Sequence, residues 1–176
     1  MKFVVKIIFI LMSCFLIIGC DNENDVGNNL KQPSEQEIIV YDGLTLNELA
    51  IKLEKNLNST ISGYGYTFAS KSLELGLDPY LAVAIMLHET GCKWNCSSLM
   101  KKCNNVGGMK GTPGCNGGSY KKFDTLEEGI DTFLNMLYKV YYSKGYTSPE
   151  QIGKRYAEDP SWPKKVNNYI NQIKNS

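Results

Sequence analysis

Histidine is nearly missing: the 176-residue chain has one, His88. A zinc-protease helix needs two histidines four residues apart, so that both face the metal from one side. The fourth residue after His88 is Cys92, so this chemistry is excluded on inventory. A serine or cysteine nucleophile of the usual kind needs a histidine base. The sole candidate sits in an apolar run beside four cysteines, where its simplest role is packing at a helix end. Excess charge is missing as well. Nineteen Lys and Arg against 18 Asp and Glu leave a formal net charge of +1, which gives no electrostatic basis for binding nucleic acid. Paired metal-ligand spacing is also lacking. Cys92, Cys96, Cys103 and Cys115 are separated by 3, 6 and 11 residues, which matches no doubled C-x₂-C pattern.

What is present begins with an export signal. Lys2 and Lys6 precede an apolar run from Ile7 to Ile18, which is short for a membrane span and the right length for a signal-peptide core. The run ends at Gly19-Cys20, followed by the polar stretch Asp21-Asn22-Glu23-Asn24-Asp25. This resembles a bacterial lipobox. It predicts a lipoprotein signal peptide over residues 1–19 and lipidation at Cys20; an ordinary signal peptide or an uncleaved anchor is the alternative. Acyl chains at ~0.8 kcal/mol per buried CH₂ would hold such a protein on a membrane. Residues 20–43, rich in Asn, Asp, Gln and Glu, read as a flexible tether, with Ile38 to Tyr41 able to pack on the domain's edge. Residues 44–176 form the predicted domain. With 43% hydrophobic residues the chain can build a core. In an exported protein, an even set of four cysteines reads as two disulfides rather than a zinc site. Three pairings are open.

From Leu44 the hydrophobic pattern is helical. Thr45-Leu46-Asn47-Glu48 carries a capping-box signature ahead of an apolar stripe through Leu57. A second helix is predicted over Thr67–Leu75, stopped by Gly76. Asp78-Pro79 supplies an N-cap and a first-turn proline to a third, whose Leu81–Leu87 (LAVAIML) is apolar on nearly every face. That helix belongs at the buried centre and ends near Gly91. Residues 92–121 are rich in glycine, hold all four cysteines and show no helical period, which predicts a loop with a short hairpin. Further helices are predicted from Thr125 through Tyr141, from Ser148, and over Ser161–Ile173. The fold class is mainly α: one helical domain with a glycine- and cysteine-rich excursion.

The stretch LHETGCKWNC, Leu87–Cys96, holds the candidate site. Burying a charge is costly, so a glutamate leaving a nearly all-apolar helix is either turned to solvent or kept for chemistry. Periodicity alone leaves Glu89 open between the two.

Four ordered blocks decide. The run Gly76-Leu77-Asp78-Pro79 through Leu87-His88-Glu89-Thr90-Gly91 resembles the catalytic helix of the lysozyme-like superfamily. Its nearest likeness is to the endo-β-N-acetylglucosaminidases of glycoside hydrolase family 73, where a DP…A…E(S/T)G run ends in the general acid. Asn104-Asn105-Val106-Gly107-Gly108-Met109-Lys110-Gly111 is similar to that family's NNxxGxKG block. Tyr120 to Ile130 is similar to its aromatic and S/T-x-E block, and Arg155-Tyr156-Ala157-Glu158-Asp159-Pro160-Ser161-Trp162 with Val166 to its YAxDPxY…V ending.

The resemblance implies a lysozyme-like fold and cleavage of β-1,4 bonds in peptidoglycan glycan strands. Glu89 would be the general acid, with Tyr156 beside it in the groove. Asn105, Gly108 and Lys110 would shape the substrate-binding floor beside it, and Tyr120 and Trp162 would be groove aromatics with core packing as the alternative. Two departures stand out. Gly111–Lys122 holds no Asp or Glu where the family carries a second carboxylate, and Gly107 replaces an aromatic. Glycosidases ordinarily use two carboxyls. Asp124, Glu127 and Glu128 are the nearest, the last two being better explained as first-turn helix residues. Assistance by the sugar N-acetyl group or a lytic transglycosylase route needs only Glu89. A non-catalytic wall-binding module and an interaction domain of a secretion or conjugation apparatus are the rivals. The expected partners are peptidoglycan and, through lipid, a membrane. No nucleic acid, cofactor or metal is expected, and the domain is expected to be a monomer.

Overall fold

The computed structural model describes residues 38–176. The predicted signal peptide, Cys20 and most of the predicted tether lie outside the described residues. Seven α-helices and one two-stranded hairpin build the described part, the mainly helical domain expected.

The hairpin pairs β1 (Ile39–Tyr41) with β2 (Leu44–Thr45), antiparallel, with Tyr41 opposite Leu44. Asp42 and Gly43 turn the chain, both at positive φ, as a two-residue hairpin turn requires. β1 falls within the segment read as tether, yet it is held to the helical body. The Tyr41 ring meets Tyr80 edge-on at 5.0 Å, and its hydroxyl donates to Asp78 Oδ1 at 2.7 Å. Packing of this segment on the domain's edge, which the sequence allowed, is thus made through Tyr41.

Helix α1 (Leu46–Glu54) starts from the expected capping box of Thr45 and Glu48. α2 (Gly65–Glu74) starts two residues earlier than its apolar pattern suggests. The cause is tertiary. Glu54 at the end of α1 accepts from the N–H groups of Gly63 and Gly65 and from Ser62 Oγ, and so serves the orphan donors at the start of α2. Gly65 permits the approach, since a Cβ there would lie 2.5 Å from the Ala50 carbonyl oxygen.

Helix α3 (Pro79–Thr90) is the centre. Asp78 caps it by accepting from the N–H groups of Tyr80 and Leu81, and Gly91 ends it at φ 68°. Only His88 and Glu89 along its length escape full burial. α2 and α7 (Trp162–Lys174) pack on it, while α5 (Leu126–Val140) contributes Ile130, Phe133, Leu134 and Leu137 to the same core. α6 (Pro149–Tyr156), begun by a capping box of Ser148 and Gln151, leads into α7.

The excursion holds more regular structure than its sequence pattern announces. Ser98–Cys103 forms a short helix, α4, capped by Ser97 and ended by Asn104 in the left-handed region. Six residues are too few to show a helical period, which is why the pattern misses it. The hairpin expected in this stretch is present as antiparallel bridges, Lys110 with Tyr120 and Gly114 with Lys121. The disulfides join Cys92 to Cys96 and Cys103 to Cys115. The first closes the turn after α3, and the second ties the end of α4 to the excursion.

Two outcomes follow. Asp78→Ala removes the cap of α3 and the partner of Tyr41; caps are worth ~1–2 kcal/mol, so the melting temperature should fall by about 3–10 °C. An unchanged melting curve contradicts the role given to Asp78. Each disulfide closes a short loop, worth ~3 kcal/mol for about 15 residues in the chain-entropy model. Reduction should raise amide hydrogen exchange across residues 92–121 while the amides of α3 stay protected. Uniform loss of protection would mean the disulfides hold the core itself.

Candidate active site

Glu89 projects from the last turn of α3, the one part of that helix that is not enclosed. Its Oε1 accepts a hydrogen bond from the indole Nε1–H of Trp162 at 3.0 Å. That leaves Oε2 on the side of Gly108, where an added Cβ would lie 3.9 Å away. Gly108 has φ 61°, so the backbone here needs glycine's freedom and also keeps the space before the carboxyl clear.

Trp162 is expected from the resemblance as a groove aromatic. Of the two readings open to it the structure favours core packing: Trp162 is 2% exposed and presents no face to a sugar. It is instead the buried donor that fixes Glu89. Its ring is held by Tyr156 at 5.1 Å, by His88 edge-on at 6.2 Å, and by Gly153, where a Cβ would come within 3.0 Å of Cε3. His88 lies between Trp162 and Tyr169 of α7, the packing role its surroundings suggested. The block before α7 sets this up. Asp159 accepts from the backbone N–H and hydroxyl of Ser161 and from Lys165 Nζ, and its own carbonyl accepts from the Trp162 N–H. The bonds from Lys165 and Ser161 hold the Asp159 carboxyl well below the usual carboxylate range. The turn they lock starts α7 with Trp162 facing Glu89.

Tyr156 closes α6 beside this pair. Its hydroxyl donates to the Gly107 carbonyl at 3.2 Å. Burial, and next the charge of Glu89, push its phenol up from the ordinary value, so it stays a neutral donor at neutral pH.

Asn105 shapes the loop from beneath, as a floor residue would, and its side chain does not reach the surface. It is fully buried. Its Nδ2 donates to the carbonyls of Met109 and Lys121, each at 2.8 Å, and its Oδ1 accepts from Met109 N at 2.9 Å and Gly107 N at 3.4 Å. Both donors and both acceptor positions are taken by the excursion's own backbone. Lys110 and Tyr120 are exposed and face each other across the bridge above this pin. No contact joins either side chain to Glu89 among the described residues.

Gly107 stands where the resemblance leads to an aromatic. A Cβ there would meet Phe133 of α5 at 2.5 Å. The aromatic volume is thus supplied from another helix. The acidic candidates are likewise placed. Glu127 accepts from Tyr64 Oη at 2.8 Å and is held low first by a backbone N–H and then by that hydroxyl. Glu128 accepts from Asp124 N at 3.0 Å while its own N–H reaches the Thr125 cap. Both serve the start of α5, as first-turn residues do, and not the carboxyl of α3. A separate cavity of about 380 Å³ lies between α6 and α7, lined by Gly153, Ala157, Pro160 and Pro163 among others; none of its lining residues belongs to α3.

The Trp162–Glu89 bond spans 73 residues, and Phe133 reaches Gly107 from a different helix. No local pattern carries either. The only sequence signal was the order of the blocks themselves.

No curated protein matches the chain. The model of one family, described as mannosyl-glycoprotein endo-β-N-acetylglucosaminidase, matches residues 66–175. That span runs from α2 to the end of α7 and takes in the whole helical body around Glu89. The chain belongs to the glucosaminidase family, and is a glycoside hydrolase of the endo-β-N-acetylglucosaminidase type.

Proposed function

We propose that the protein cleaves β-1,4 glycosidic bonds of peptidoglycan glycan strands, with Glu89 as the general acid. The observation that carries this is the bond from Trp162 Nε1 to Glu89 Oε1 at the open end of an otherwise buried helix. A carboxyl fixed through one oxygen has its other free to carry a proton. In this reading Oε2 gives its proton to the leaving glycosidic oxygen above Gly108. In this reading Tyr156, a neutral phenol beside the pair, helps to steady the charge that follows.

Residues 111–122 hold no carboxyl, and Glu127 and Glu128 are engaged at the start of α5, so the reading uses a route with one glutamate. The 2-acetamido oxygen of the sugar attacks its own anomeric carbon as the bond to the leaving oxygen breaks. Water then opens the cyclic intermediate and returns a proton to Glu89. Substrate-assisted glycosidases are the known exception to the two-carboxylate rule. The same economy favours a lytic transglycosylase as second reading. There the C6 hydroxyl of the muramic acid attacks, and Glu89 moves the proton without water entering. In either case the substrate lies outside the cytoplasm, which agrees with the export signal and a lipid anchor at Cys20.

Purified peptidoglycan digested by the protein and by Glu89→Gln, with products read by mass spectrometry, tests the reading. General acids contribute roughly 10²–10⁴-fold, and the variant should lose that much. Reducing-end N-acetylglucosamine supports the glucosaminidase, and anhydro-muramic ends support the transglycosylase. Wall binding without products from either protein would make it a binding module. Trp162→Phe keeps a ring against Tyr156 but removes the N–H. Hydrogen bonds to charged groups are worth ~1.5–3 kcal/mol, so kcat should fall roughly 10–100-fold with KM little changed. An unaltered kcat in a folded variant removes Trp162 from the mechanism.

A further inference from the structure

Between Glu89 and the excursion lies the turn Gly91–Cys96, and one of its residues is unlike the rest. Trp94 is 74% exposed, the most exposed large aromatic among the described residues. The turn around it is pinned at nearly every other position. Gly91 O accepts from the N–H groups of both Trp94 and Asn95, at 3.0 and 3.2 Å. Cys92 is bonded to Cys96, and the Cys92 carbonyl accepts from Asn58 N at 3.0 Å. Lys93 Nζ donates to Asn56 Oδ1 at 3.0 Å, Asn95 Oδ1 accepts from Lys101 Nζ, and Ser97 N donates to Thr90 O at 2.7 Å. The Trp94 side chain alone has no partner in the turn. A large apolar ring is thus displayed to water on a backbone that has little freedom left to lose, which is the arrangement that favours binding.

Its surroundings narrow what it binds. Lys93, Asn95, Ser97 and Ser98 flank it along the chain, and the next large hydrophobic residue exposed after it is Tyr120. A membrane or protein docking face presents a contiguous apolar patch. A single aromatic in a polar rim suits a ligand with one apolar face and a polar edge, which describes a pyranose ring. Position agrees. Five residues from Glu89 span at most about 18 Å when extended, and the turn folds the chain back to Gly91. We infer that Trp94 is a sugar-stacking platform that holds the glycan strand a short distance from the acid. This rests on the glycosidase reading above and adds a binding site to it.

The chain's two tryptophans make the test direct, because Trp162 is buried and Trp94 is not. Titration of the whole protein with a β-1,4-linked N-acetylglucosamine oligosaccharide should shift tryptophan emission to the blue, saturably. Trp94→Phe should abolish the shift. Trp94→Ala should weaken binding to purified peptidoglycan on the order of tenfold and raise KM more than it lowers kcat, and Trp94→Tyr should restore most of the loss. The side chain is exposed, so the melting temperature should not move. If the protein digests peptidoglycan while the emission stays still and Trp94→Ala works as wild type, the platform is wrong and the glycosidase stands. If the emission responds to anionic phospholipid vesicles and not to the oligosaccharide, Trp94 is a membrane contact and the glycan assignment is overturned. If the wild-type protein neither binds nor digests the wall, the glycosidase reading falls and the platform with it.

Discussion

Helix α3 is enclosed by α2, α5 and α7 along all but its last turn, and the setting of Glu89 depends on that enclosure. Ten of its twelve residues are buried. A helix so apolar has no polar face to turn to water, so its neighbours must cover it, and its capped start at Asp78 and left-handed end at Gly91 fix where it begins and stops. Glu89 falls at the single opening. The same packing that makes a core makes a carboxyl that is backed by protein and reached from one side.

What holds that carboxyl comes from the far end of the chain. The locked turn at Asp159 starts α7 so that Trp162 enters the core with its N–H toward Glu89. Tyr156 lies against the indole and reaches across to Gly107, so α6, α7 and the excursion meet around one glutamate. The excursion in turn has no core of its own. Asn105 from beneath and the Cys103–Cys115 bond from its rim substitute for one. A buried asparagine with all its hydrogen-bonding capacity used is costly to replace, and here it sets the height of Gly108 before the carboxyl. The departures from the family pattern have matching physical accounts. Phe133 occupies the space of the missing aromatic, and Glu127 and Glu128 are taken up by the start of α5.

Most of the helices, their caps and the central place of α3 were legible in the chain, because capping boxes, Asp-Pro starts, terminal glycines and apolar stripes act within a few residues. The errors fall where that locality ends. α2 begins early because Glu54 of another helix caps it. α4 is too short to carry a period. Among the candidate site residues, Glu89 and Tyr156 were pointed to by block order, while Trp162 and Asn105, candidates for the groove, are buried.

The sequence by itself determined the helical class, the buried third helix with a glutamate at its exit, the exclusion of histidine-based and zinc-protease chemistry, and a cysteine cluster suited to export. These are matters of inventory and of spacing within one element. Tertiary structure alone decided the disulfide pairing, the donor that fixes Glu89, the residue that fills the gap at Gly107, and which aromatics face inward. Each joins side chains from different elements. A hydrogen bond or a ring contact depends on angstrom-scale placement that packing supplies and no run of neighbouring residues encodes.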